Sequence, residues 1–164
     1  MIEVIKAGVE DYDLVLGLAK NVWPQTYKNI LSEEQIEYMF DLMYSREAYT
    51  EQINVKGHHF LMIKEEDKYL GFASYELNYH YETTKIHKIY ILPNTQGKGV
   101  GRILLKAIEG IAKKNGNTVV SLNVNRFNPA LGFYEKMGFI KAGQEDINIG
   151  NGYLMEDYIM EKKL

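Results

Sequence analysis

The apolar positions of this chain change period several times, and each change marks a new element. Ile2 and Val4 alternate like a short first strand. Behind Asp11, a residue able to cap, Leu14, Val15, Leu18, Ala19 and Val22 recur at helical spacing and predict a helix over 10–22. Ser32 and Gln35 have the spacing of a reciprocal capping box, with Ile36, Met39, Phe40 and Met43 following at i, i+3, i+4 and i+7. Residues 46–54 read as a further helix. Segments 60–65 and 69–77 are strand-like, and the polar Glu66-Asp67-Lys68 between them suits a hairpin turn. Another strand over 86–92 is closed by Pro93. Leu104, Ala107, Ile108 and Ile111 share one face of a helix over 102–114, which Gly116-Asn117 stops. A β-branched strand over 118–124, a short helix over 129–137 and strands near 139–142 and 153–161 complete an α+β order.

Composition narrows the function classes. With 164 residues, 46% of them apolar, the chain has the size and core material of a single domain spanning 1–164. Lys and Arg number 19 against 22 Asp and Glu, a net charge of −3 that disfavours a nucleic-acid partner. The absence of cysteine excludes disulfides, thiolate metal sites and a cysteine nucleophile. Glu3, Lys6, Glu10, Asp11 and Asp13 interrupt any apolar signal segment, and no 18-residue apolar run exists. The expectation is a cytoplasmic protein without a membrane partner.

The chemistry concentrates in two stretches. The first is Gln96-Gly97-Lys98-Gly99-Val100-Gly101-Arg102, a glycine-rich turn between a strand and a helix. A helix start leaves backbone N–H groups unpaired and pointing one way, and the helix dipole adds partial positive charge. Missing Cβ atoms let phosphate oxygens approach, and Lys98, Arg102 and Lys106 add cationic character, so the turn reads as a pyrophosphate cradle. A dinucleotide fold needs a third glycine where Arg102 stands and an acidic ribose ligand about 20 residues on, yet 115–128 holds no Asp or Glu. A Walker A loop is absent too.

Q-x-x-G-x-G, here Gln96 to Gly101, resembles the acetyl-CoA pyrophosphate motif of the GNAT superfamily of N-acetyltransferases. The preceding Ile89-Tyr90-Ile91-Leu92-Pro93 resembles that family's strand ending in proline, and Ile103-Leu104-Leu105 its helix start. The second stretch, Asn128 to Phe139, reads N-x-A-x-x-x-Y-x-x-x-G-F and resembles the family's other motif. Taken alone, Asn128 is an N-cap, Pro129 a first helical residue and Tyr134 a core aromatic.

The resemblance covers nearly the whole chain and implies a three-layer fold: a mixed, splayed sheet of six or seven strands with helices on both faces. It implies acetyl-CoA as cosubstrate, with contacts from Ile89, Ile91, Gln96, Gly97, Lys98, Gly99, Val100, Gly101, Arg102, Asn128 and Lys136. It makes Tyr134 the general acid facing the thioester sulfur and puts the Ile91 amide at the developing oxyanion.

Transfer would be direct, to a primary amine of a small molecule or peptide. Where many relatives carry a glutamate base this chain has Lys85, which leaves His87, on the same strand face, as either the base or else a partly exposed strand histidine or an acceptor contact. His58, His59 and His80 read as surface loop residues, and no carboxylate pattern suggests a metal. Trp23 and Tyr27, placed between the first two helices, read equally well as acceptor wall or core. Dimerisation, common in such enzymes, has no sequence signal here. A noncatalytic acyl-CoA-binding module on the same fold is the alternative.

Overall fold

A computed structural model describes residues 1–95 and 98–164. β1 (Ile2–Ala7) leads through a 3₁₀ turn into α1 (Tyr12–Tyr27), α2 (Glu33–Tyr44) and α3 (Arg46–Asn54). Strands β2 (His59–Glu65), β3 (Lys68–His80) and β4 (Thr83–Ile91) follow as an antiparallel run. Then come α4 (Val100–Lys114), β5 (Val119–Asn125), α5 (Ala130–Lys136), β6 (Ile140–Gly150) and β7 (Tyr153–Lys163). The seven strands form one sheet in the order β1-β2-β3-β4-β5-β7-β6. Among the described strands only β4 and β5 pair in parallel, with α4 between them in the chain. One core cluster, with Leu104, Leu105 and Ile108, packs α4 and α5 on one face of the sheet. The other, with Trp23, Met39 and Tyr49, packs α1, α2 and α3 on the opposite face.

Four local features depart from what the sequence pattern predicts. α1 continues through Pro24 to Tyr27 rather than stopping at 22. An internal proline costs about 3 kcal/mol, but the extra turn puts Trp23 and Tyr27 four residues apart on one buried face, with ring centroids 4.8 Å apart. Their burial outweighs the lost hydrogen bond, so both residues belong to a helix and not to a loop.

The box at Ser32 is half formed. Ser32 Oγ accepts from the Gln35 amide at 3.1 Å, whereas the Gln35 side chain donates to the Leu154 carbonyl at 2.9 Å. β6 is far longer than the short strand expected near 139–142, because 143–149 pairs with β7 through its backbone and turns Ile147 and Ile149 toward the α1–α3 core. Asn151 (φ +55°) and Gly152 (φ +79°) close this hairpin, the positive pair that a two-residue twisted turn requires.

The fourth departure shapes the site. Tyr75 pairs with Ile86 and Ser74 with Lys88, so His87 is an extra residue, a bulge in β4. The side-chain alternation slips there: Ile86, Ile89 and Ile91 join the α4 core, while Tyr90 joins the α1–α3 core.

Candidate active site

Pairing between β4 and β5 ends at Ile86 and Leu122, although β4 runs on to Ile91 and β5 to Asn125. Beyond that point the strands diverge and open the sheet. The Leu92 amide donates to the Leu70 carbonyl on β3 at 2.8 Å. In an antiparallel ladder the hydrogen-bonded positions alternate, so the amides of Ile91 and Ile89 face the opening on the β5 side.

A cleft of about 560 Å³ occupies one end of this opening. It is lined by Ile89, Ile91, Gly99, Val100, Gly101, Asn128 and Tyr134 among others. Gly99 caps α4 in the left-handed region (φ +65°), which a side chain would strain. A Cβ on Gly101 would lie 3.4 Å from the Phe133 ring and 3.8 Å from Ile91 Cγ1, so that wall has room for nothing larger. The first turn of α4 therefore presents bare main chain and a positive dipole end to the cleft.

Asn128 Oδ1 accepts from the Ala130 amide at 2.9 Å, as a capping residue should. Arg102 stands in the first turn of α4. The Lys98 ammonium is already engaged by Glu65 at 2.6 Å, and it holds the Glu65 carboxyl below its usual range. Lys136, in the last turn of α5, is exposed and lies outside the cleft lining. Gln96 and Gly97 fall outside the described residues.

A second cavity, of about 300 Å³, lies on the α1–α3 side. It shares Ile89, Tyr90, Asn128 and Tyr134 with the cleft. Tyr134 is 7% exposed, and burial, reinforced by the nearby Tyr27, pushes its hydroxyl well above the usual tyrosine value. It keeps its proton at any physiological pH.

Trp23 and Tyr27 also line this cavity while remaining core residues. Trp23 Nε1 donates to Tyr44 Oη at 3.1 Å, and the Tyr27 and Tyr90 hydroxyls share a 3.1 Å hydrogen bond. Burial raises Tyr27 to about 12. This aromatic pair is core on one side and cavity wall on the other.

The fold also gathers ionisable groups that the sequence pattern did not single out. His58 is buried instead of lying on a surface loop, because it stacks on His87 with centroids 3.9 Å apart and planes 12° apart. Glu76 Oε1 lies 3.0 Å from His87 Nε2 and 3.6 Å from His58 Nε2. The fold thus supplies a carboxylate where the sequence offered none. The three ligand atoms fall within 4.8 Å of one another. The rings are nearly parallel, however, and a bound ion cannot lie in both ring planes at once. Burial, with nearby cationic lysines, pushes both imidazoles down to about 3.

Lys88, brought to the same face as His87 by the bulge, is buried and lowered to about 8 by desolvation. It donates to Gln52 Oε1 at 2.9 Å and lies over the Tyr44 and Phe60 rings. Asp157 on β7 is 6% exposed, and burial raises its carboxyl above the usual range. The signal for Asp157 was present: in β7 it sits between Met155 and Ile159 at a spacing of two, the phase of inward residues. Lys88 gave no such signal, since a bulge cannot be read from alternation.

Two cavities thus meet at a buried tyrosine, one walled by bare main chain and one by ionisable side chains. The chain belongs to the acetyltransferase (GNAT) family, whose family model matches residues 23–139. It is therefore an N-acetyltransferase-type acyltransferase. It is 32% identical to the spermidine N(1)-acetyltransferase of Thermoplasma acidophilum over 99% of this chain and 97% of that protein. The crystal structure of the PaiA N-acetyltransferase from Thermoplasma acidophilum in complex with coenzyme A superposes with a TM-score of 0.82 at 30% identity, covering 100% of this chain and 99% of that one. The ribosomal-protein-S18-alanine N-acetyltransferase of Escherichia coli shares the fold at a TM-score of 0.73 and 18% identity, over 99% and 94% of the two chains. Among the described residues no helix is long and apolar enough to cross a membrane.

Proposed function

We propose that this protein moves the acetyl group of acetyl-CoA directly onto a primary amine, with the cleft holding the cosubstrate and the smaller cavity the acceptor. The observation that carries this reading is the convergence of the two spaces on Tyr134 and Asn128. The pyrophosphate lies against the start of α4, on main-chain amides that include those of Val100 and Gly101. The pantetheine arm runs between the splayed strands, hydrogen-bonded to the unpaired main chain of Ile89 and Ile91 and to the Asn128 amide. The name of the 32%-identical relative, a spermidine N(1)-acetyltransferase, specifies an amine acceptor.

The amine lone pair attacks the thioester carbonyl, the Ile91 N–H supports the developing oxyanion, and the carbon–sulfur bond breaks to release thiolate. The attacking nitrogen loses a proton and the departing sulfur gains one. With its hydroxyl pushed up by burial, Tyr134 donates a hydrogen bond that strengthens as charge builds on sulfur, and the proton follows late.

A lysine-like ammonium has a pKa of ~10.4. His87, whose imidazole burial pushes down to about 3, is a far weaker proton acceptor than such an amine. This favours His87 as a neutral acceptor contact, oriented by Glu76, over His87 as the base. The amine enters unprotonated, a state that the neighbouring Lys88 cation also favours.

Release of thiol from acetyl-CoA in the presence of small amines and peptide amines tests the reading. Turnover dependent on the amine is expected. Tight coenzyme A binding with no turnover across the panel would favour a noncatalytic acyl-CoA-binding module instead.

A further inference from the structure

Among the described residues Asp157 is the one carboxylate lining the acceptor cavity, and it is incompletely satisfied. Its Oδ2 receives one long hydrogen bond, 3.4 Å from Asn123 Nδ2, and its Oδ1 has no partner among the described residues. The cations that act on it are engaged elsewhere. Arg126 pairs with Asp146, and Lys85 lies over the Tyr79 ring at 4.7 Å. Lys88, the cation in the same cavity, is held by Gln52. Leaving a buried carboxylate oxygen unpaired is expensive, and the neighbouring Glu145 adds to the cost. A Leu or Val there would be cheaper, so the group points to a missing cationic partner.

We propose that Asp157 anchors a second ammonium group of the acceptor, which makes diamines and polyamines the preferred substrates. This rests on the reading that the smaller cavity takes an amine. A carboxylate stabilises the charged form of the nitrogen it touches, whereas the attacking nitrogen must be neutral. The anchored and the reacting nitrogens are therefore different atoms, and the substrate carries at least two. The cavity is built to match. Lys88 and two neutral imidazoles disfavour charge at one part of its wall, and Asp157 demands it at another. The Trp23, Tyr27 and Tyr90 rings offer apolar surface to the methylene chain between.

The test compares n-butylamine, 1,4-diaminobutane and spermidine as acceptors for the wild-type protein and for Asp157→Asn, which keeps the side-chain shape. The wild type is expected to favour the diamine over the monoamine by roughly 10²-fold in kcat/KM. In Asp157→Asn that ratio should fall to within about threefold, through KM, with kcat for the diamine nearly unchanged. Calorimetry should show weakened diamine binding and unaltered coenzyme A binding. The variant should unfold at the same or a higher temperature, because an unpaired buried charge has been removed.

Equal use of monoamine and diamine by the wild type would overturn the inference. So would a diamine preference that survives the substitution, or an equal loss of kcat for both amines, which would mark Asp157 as a proton acceptor. If the wild type acetylates no amine while still binding coenzyme A, the transfer reading itself fails and takes this inference with it.

Discussion

The two spaces that meet at Tyr134 are built from different material. The cleft is main chain: the amides freed by the β4–β5 splay and the glycine-lined start of α4. The cavity is side chain: stacked histidines, a buried lysine, a half-satisfied aspartate and an aromatic floor. Backbone presents the same groups whatever the sequence, so a main-chain site suits the invariant part of a cosubstrate. Side chains can be exchanged one at a time without disturbing the sheet, so on the proposed assignment the cavity is where acceptor choice is written.

Replacing the group at the junction should have the largest effect. Tyr134→Phe is expected to lower kcat by ~10²–10⁴ while coenzyme A affinity and thermal unfolding stay unchanged. Stopped-flow or steady-state thiol release beside a melting curve checks both halves, and unchanged turnover would remove Tyr134 from the chemistry.

Next in size, Trp23→Ala should destabilise the fold by about 3–5 kcal/mol in denaturant titration, since this 1%-exposed side chain is core as well as wall. A loss below about 1 kcal/mol would show that the cavity side is structurally independent.

The cavity should also be the acid-sensitive half. His58 and His87 protonate near 6.5 when unfolded but only near 3 in the fold, so between those values the unfolded state binds more protons. Their contribution to stability is complete above pH 6.5 and is lost as pH falls, by roughly 2 kcal/mol per ring at pH 5. A double variant with Gln at both positions should flatten that dependence, and a slope that persists would place the acid sensitivity elsewhere.

The smallest effect is expected in the cleft. Gly101→Leu forces branches against Phe133 and Ile91, at about 1–3 kcal/mol, and should weaken coenzyme A binding by roughly 5–150-fold. Diamine binding measured without coenzyme A should not change. If the acceptor is lost as well, the two spaces are one site and the division between them is wrong.

The glycine spacing at 97, 99 and 101, the Asn128–Pro129 helix start and the helical stripe of 102–114 are local signals, each decided by residues adjacent in the chain. They were legible because capping, dihedral freedom and amphipathic period act over a few positions. The environments of Lys136 and Lys98 were not legible in the same way: Lys136 is exposed outside the cleft lining and Lys98 is held by Glu65, a residue distant in the chain.

The sequence by itself determined the order of elements, the bare helix start and the tyrosine that closes the second motif, since these depend on short-range preferences of the chain. Only the tertiary structure decided the bulge at His87, the continuation of α1 through Pro24 and the meeting of His58, Glu76, Lys88 and Asp157. Those groups lie on separate elements, and their ionisation is set by burial among neighbours distant in the chain. Neither spacing nor composition carries that information.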